Sequence, residues 1–266
     1  METRTAIYKN SNVSYKIIGN GQRVVLLHGF AEDSTMWRYQ IDFLKGHFRL
    51  FVPDIPGSGL SSYNEQLSTV EDYAEVIKAI LDNEKISSCI LIGHSLGGYI
   101  TLAFAEKYPH FVKAFGLFHS TAFADSEDKK QIRLKAIDFI KTNGAYTFIK
   151  NTTPNLFAAS FKTNNPEQIE ALIKQRKNFT PEALIQYYQA MIARPERVAI
   201  LKNSAVPVLF IIGEQDNAVP LQSSLQQCHL PSQSYITILA NSAHMGMWEE
   251  KAKANKALQD FLQIFD

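Results

Sequence analysis

The sequence is short of several things, and each shortage excludes a class of protein. Only two cysteines, Cys89 and Cys228, occur in 266 residues. That is too few for a disulfide-stapled scaffold and fits reduced thiols. Neither sign of charge dominates: 27 basic against 26 acidic side chains leave a formal net charge of +1. A nucleic-acid partner or a polybasic membrane patch is therefore not expected. No apolar run approaches the length of a membrane span, and the start, METRTAIYKNSNVSYKIIG, lacks the apolar core of a signal peptide. Internal repeats and low-complexity tracts are missing. So are a glycine fingerprint after the first strand and His/Cys metal-ligand spacing, so neither a dinucleotide cofactor nor a metal is expected. What remains is an ordinary soluble, cytoplasmic chain with 45% hydrophobic residues, long enough to bury a full core.

What is present is an alternation of strand and helix signals. Val13 to Ile18 alternates weakly before the turn Gly19-Asn20-Gly21. Val24 to Leu27, Leu50 to Val52, Cys89 to Ile92 and Ala114 to Phe118 are short apolar runs, as in strands covered on both faces. Between them, Ser34 is expected to cap a helix holding Met36, Trp37, Ile41, Phe43 and Leu44. Thr69-Val70-Glu71-Asp72 resembles a capping box, with Asp in place of the usual Glu or Gln. From about 122 to 203 strand signals nearly vanish. Helical patterns run from Lys129 to Ile140 and after Asn165-Pro166 and Thr180-Pro181, where a capping residue precedes proline at the first helical position. Alternation returns with strands at Val206 to Ile212 and Tyr235 to Leu239, a helix from about Pro220 that would include Cys228, and another from about Glu249 to Ile264. The predicted fold is α/β: a mostly parallel sheet flanked by helices, residues 1–121 and 204–266, with an all-helical insertion at 122–203.

One stretch carries chemistry. In CILIGHSLGGYI a buried strand feeds a helix through Gly93-His94-Ser95-Leu96-Gly97, a G-x-S-x-G pattern. A sharp turn there forces the serine into a strained backbone conformation, so residues two away must lack bulky side chains. The hydroxyl then projects clear of the sheet, and the Leu96 N–H at the helix start can meet a developing oxyanion. A serine needs a base, and the base needs an orienting acid. Asp216, in IIGEQDNAVP, and His244, in LANSAHMGMW, each follow a predicted strand end, where doubly wound sheets place such groups. The order Ser, Asp, His is that of a nucleophile-elbow hydrolase. His28-Gly29-Phe30 ends an early strand, and the Phe30 N–H is the candidate second oxyanion donor.

Those stretches together resemble the α/β-hydrolase superfamily, in the serine-hydrolase branch with a helical cap between the sixth and seventh strands. HGF at 28–30, DIPGSGLSS at 54–62, GHSLGG at 93–98, GEQD at 213–216 and SAH at 242–244 carry the resemblance, and it spans the chain outside 122–203. It implies a catalytic triad of Ser95 as nucleophile, His244 as general base and then acid, and Asp216 as its orienting carboxylate. Phe30 and Leu96 would form the oxyanion hole and 122–203 the cap. Branch members that are epoxide hydrolases or haloalkane dehalogenases carry Asp at the nucleophile position, and Ser95 argues against both.

Rival residues have ordinary readings. His28 and His94 flank backbone-critical positions and are expected to bond structurally, and His47, His110 and His229 to lie on the surface; for His119, past the Ala114 to Phe118 strand, a substrate contact stays open as the minority reading. Asp125 competes for the acid role, while Asp54 reads as part of a structural turn. Phe139, Tyr146, Phe148, Phe157, Phe161, Phe179, Tyr187 and Tyr188 are expected to pack the insertion's helices, some of them roofing a pocket. The leading expectation is a cofactor-free esterase acting on a small or medium carboxylic ester. A carbon–carbon hydrolase or related lyase using the same triad stays open, although Tyr99 and His94 depart from the residues such relatives carry. A small-molecule receptor on the same fold also stays open. A homo-oligomer is possible, and nothing in the sequence selects an oligomeric state.

Overall fold

In the computed structural model, which describes residues 1–265, eight strands form one sheet. They are β1 (Glu2–Tyr8), β2 (Ser11–Ile18), β3 (Gln22–Leu27), β4 (Phe48–Pro53), β5 (Cys89–His94), β6 (Val112–Phe118), β7 (Val208–Gly213) and β8 (Ser234–Leu239). Their spatial order is β1-β2-β4-β3-β5-β6-β7-β8. β2 pairs antiparallel with both β1 and β4, and every other pairing is parallel. The helices are α1 (Arg38–Leu44), α2 (Val70–Asn83), α3 (Leu96–Lys107), α4 (Glu127–Asn143), α5 (Ala145–Thr152), α6 (Ala159–Asn164), α7 (Pro166–Gln175), α8 (Pro181–Ala193), α9 (Val198–Lys202), α10 (Leu221–Leu225), α11 (Gly246–Glu249) and α12 (Lys251–Leu262). This is the mostly parallel α/β fold that the apolar runs announce. Val24 to Leu27 and Cys89 to His94 are buried on both faces, because α2 and α3 pack on one side and α1 and α12 on the other.

Local signals set most boundaries. Thr69 Oγ1 accepts from Asp72 N at 3.1 Å and Asp72 Oδ2 accepts from Thr69 N at 3.0 Å, a complete capping box built on aspartate. Thr180 caps α8 through Ala183 N. Asn165 caps nothing in α7; its amide oxygen accepts from Gln168 Nε2 instead. Four expectations need correction. β1 is absent from the periodicity reading because only Ala6 of its seven residues is buried. The turn before α1 is capped by Asp33, not Ser34. Cys228 lies beyond α10, a helix of five residues, and not inside it. The last predicted helix breaks at Glu250 into α11 and α12.

Between β6 and β7 the chain runs through α4 to α9. Its docking onto the loops and helices that flank the sheet is polar as well as apolar. Tyr187 Oη donates to Pro56 O at 2.7 Å, and Gln186 joins Tyr73 Oη and Asn64 O. Arg197 bridges Glu71 of α2 and Glu106 of α3. Among the described residues no helix is long and apolar enough to cross a membrane.

Candidate active site

Ser95 sits between β5 and α3 with φ of +49° and ψ of −113°, a conformation that non-glycine residues rarely adopt. Its neighbours hold it there. Ser95 N donates to Phe118 O at 3.0 Å, and the Ser95 carbonyl accepts from Ser120 Oγ at 2.8 Å and Gly98 N at 2.9 Å. The flanking glycines answer to close approach. A Cβ on Gly93 would stand 2.2 Å from Gly97 O and 2.5 Å from Gly98 N, and one on Gly97 would stand 2.4 Å from Leu27 O. All of these obstacles are backbone, so nothing can rotate away. Gly93→Ala is accordingly expected to destabilise the protein by about 3 kcal/mol, the upper range for overpacking, read as a lower urea midpoint at constant m. An unchanged midpoint would mean that the turn is not under this constraint.

Asp216 lies in the loop after β7 and His244 in the loop after β8, and the fold joins them: His244 Nδ1 donates to Asp216 Oδ2 at 2.7 Å. The other carboxylate oxygen accepts from Ala218 N at 2.8 Å and Val219 N at 2.9 Å. Burial opposes ionisation of Asp216, but the His244 charge and hydrogen bonds from His119 and His244 outweigh it and hold the carboxyl far below its usual range. Burial likewise disfavours protonated His244, yet the Asp216 charge and hydrogen bond prevail and raise its pKa above the ordinary value. With Nδ1–H committed to the carboxylate, Nε2 keeps its lone pair. Ser95, Phe30 and His244 line one cavity of about 160 Å³, while Asp216 stands behind the imidazole. Phe30 lies in the turn after β3, and Leu96 opens α3. Among the described residues neither backbone N–H donates to a protein acceptor.

Four charged or titratable residues matter more here than their sequence context suggests. Glu32, 1% exposed, accepts from Gly29 N at 2.7 Å and from His94 Nδ1 at 2.9 Å, with Arg176 3.9 Å away. Burial works against its charge, but His94 and Arg176 pull its pKa down to about 2. His94 Nε2 in turn donates to the His244 carbonyl at 3.0 Å. Both partners of His94 are acceptors, so both bonds need an N–H on each ring nitrogen. Glu32 thus ties the turn bearing Phe30 to the loop bearing His244. Glu249 binds that loop from the other side, accepting from Ser242 Oγ, Ala243 N and Met245 N at 3.0 Å each and from Ala158 N at 2.6 Å. Nothing local in the sequence marks Glu32 or Glu249, since their partners are distant or backbone.

His119 does not line the cavity, contrary to the substrate-contact reading. It is buried behind Asp216, with Nδ1 3.4 Å from Asp216 Oδ2 and burial pushing its pKa down to about 4. Gly246 N approaches its Nε2 and Gly213 N its Nδ1, each at 3.1 Å. A neutral ring accepts only one, and the tautomer that accepts at Nε2 puts Nδ1–H against the carboxylate. Asp125 is paired with Arg133 and Arg194 and makes no bond to a histidine. Asp54 receives Ser34 N and Leu60 N, as a turn residue should. His47, His110 and His229 are exposed. Of the aromatics between β6 and β7, Tyr188 reaches the cavity and stacks on Phe30 at 4.2 Å. Phe157 and Phe161 stack on each other, and Phe139 and Tyr146 are exposed. Among the described residues no group of three or more His, Cys, Asp or Glu could hold a metal ion.

Residues 22–139 match a family described as having the alpha/beta hydrolase fold. A pimeloyl-[acyl-carrier protein] methyl ester esterase from Nitrosospira multiformis is 29% identical over 211 residues, covering 75% of this chain and 78% of that protein. The biotin biosynthesis bifunctional protein BioHC of Cellvibrio japonicus is 25% identical over 245 residues, which are 90% of this chain; the match spans only 47% of BioHC. Among solved structures, a thermophilic esterase from Thermogutta terrifontis superposes with a TM-score of 0.92 at 25% identity, covering 99% of this chain and 98% of the esterase.

Proposed function

This chain belongs to the α/β-hydrolase superfamily, and we propose that within it the protein is a cofactor-free serine hydrolase of small or medium carboxylic esters. The observation that carries the reading is the 2.7 Å bond from His244 Nδ1 to Asp216, in a ring that shares its cavity with the strained Ser95. In this reading Ser95 Oγ attacks the ester carbonyl while His244 Nε2 takes its proton. The N–H groups of Phe30 and Leu96 receive the oxyanion, and Asp216 stabilises the imidazolium. His244 then protonates the departing alcohol, and the acyl-enzyme is hydrolysed by water that the same imidazole activates. Residues 122–203 act as the cap, with Tyr188 roofing the cavity. Similarity to proteins named as esterases supports ester chemistry, and the buried, unbridged Cys89 and Cys228 fit a cytoplasmic setting.

The test combines a substrate panel with covalent labelling. The wild type should hydrolyse 4-nitrophenyl acetate or butyrate, and a fluorophosphonate should add its mass to the peptide containing Ser95. Turnover of a vinylogous diketone acid far above that of every ester would move the reading to carbon–carbon hydrolysis with the same triad. An unlabelled Ser95, together with tight binding of a ligand that is not consumed, would move it to a receptor.

A further inference from the structure

The cavity that holds Ser95 and His244 also holds cationic groups that ester chemistry alone does not require. Arg133 of α4 lines it, 9% exposed, and Lys129 stands one turn earlier on the same helix. Arg133 gives Nε to Asp125 Oδ2 at 2.6 Å and Nη2 to Asp125 Oδ1 at 3.4 Å. Asp125 is shared, because Arg194 Nη2 reaches the same Oδ1 at 3.0 Å. Arg194 is otherwise satisfied by the carbonyls of Met191 and Phe123 and by the Tyr99 ring 3.8 Å away. Arg133 Nη1 has no oxygen partner: it meets the thioether sulfur of Met191 at 3.7 Å, and the Tyr188 ring lies 5.5 Å from the guanidinium carbon. A thioether is a weak acceptor, and a buried guanidinium donor left with one is costly. Two guanidinium groups therefore share one carboxylate, and the Nη1 amino group of Arg133 remains without an oxygen acceptor. Lys129 Nζ has a single oxygen partner, Ala218 O at 2.8 Å. The one acid lining the cavity, Glu32, is already occupied by His94, Gly29 N and Arg176. Besides His94 and Ala218, the lining is apolar or aromatic: Phe30, Tyr99, Leu156, Tyr188, Met191 and Val219.

We propose that the substrate is an ester bearing a free carboxylate, which docks on Arg133 Nη1 with Lys129 beside it while a short aliphatic body lies among the apolar side chains. The proposal rests on Ser95 being the nucleophile and adds the substrate class. A volume of about 160 Å³ suits a short half-ester and not a long acyl chain.

Two matched pairs test it by pH-stat at low ionic strength: monomethyl glutarate against dimethyl glutarate, and 4-acetoxybutanoic acid against its methyl ester. The first pair carries the acid on the acyl half and the second on the alcohol half. The acid should be preferred at least roughly tenfold in kcat/KM in one pair, mostly through KM, as loss of one charge-assisted bond implies. That pair identifies the half that Arg133 holds. Arg133→Lys keeps Asp125 paired but lacks the planar fork, and it should cut the acid-to-neutral ratio about tenfold. A merely structural Arg133 would slow both members equally and leave the ratio unmoved. Should that variant not fold, glutarate should still inhibit the wild type competitively where glutaramide does not. Equal or better turnover of the neutral member in both pairs overturns the proposal. If the wild type cleaves no ester at all, the nucleophile reading fails, and calorimetry of glutarate against glutaramide decides the anion site separately.

Discussion

Ser95→Ala is expected to lower kcat roughly a millionfold for any ester the wild type turns over, the size of loss seen when a triad serine is removed. KM should change little, because only the hydroxyl is lost. Alanine at position 95 bears the same backbone strain as serine, and the bonds that pin the turn use the Ser95 N–H and carbonyl, which the variant keeps. Its unfolding midpoint should therefore match that of the wild type. This combination separates chemistry from folding: an inactive variant with a lowered midpoint would say nothing about the nucleophile. A variant that retains a tenth or more of wild-type kcat, measured on protein free of contaminating esterase, would end the serine mechanism.

Asp216→Asn comes next in size, with kcat expected to fall about ten-thousandfold. Asparagine matches the carboxylate in shape but presents an amide that can hold His244 in the wrong tautomer, with its proton on Nε2. The pH profile carries a second signature. In the proposed role of base His244 must be neutral, and Asp216 raises its pKa above the ordinary value. Wild-type kcat/KM should thus fall as the pH drops through an apparent pKa above that of an ordinary histidine. In Asp216→Asn the charge that favoured the imidazolium is gone while the burial remains, so this limb should move to lower pH. An acid limb at the same pH in both proteins would show that Asp216 does not set the ionisation of the proposed base.

How far the molecule could be read from its residues depends on the range of the interactions. β3, β5 and β7 were legible because strands buried on both faces must be continuously apolar. β1 was not, because a half-exposed edge strand with one buried residue leaves almost no periodicity. The boundary of α2 was legible because a capping box closes within four residues. The serine turn was legible because part of its steric constraint is local, Gly93 closing on Gly97 and Gly98, although Gly97 also answers to Leu27 O and His28 O at the end of β3. Of the two readings open for His119, the substrate contact is the one that fails: a strand end of this sheet does face the crevice, but Asp216 and the Gly246 amide reach the ring first.

Residue order and local periodicity were enough to name the α/β class, the helical stretch between β6 and β7, and a short set of candidates at strand ends. Nearest-neighbour sterics and backbone hydrogen bonding act over a few residues, and those leave marks in the chain. Which candidates meet was settled by folding. The Asp216–His244 bond, the Glu32–His94–His244 chain and the Arg133–Asp125–Arg194 cluster join residues from eight to more than a hundred positions apart. Their strength comes from burial, which removes competing water and commits each donor to one acceptor. No residue carries a record of its burial until the sheet and the helices above it have closed.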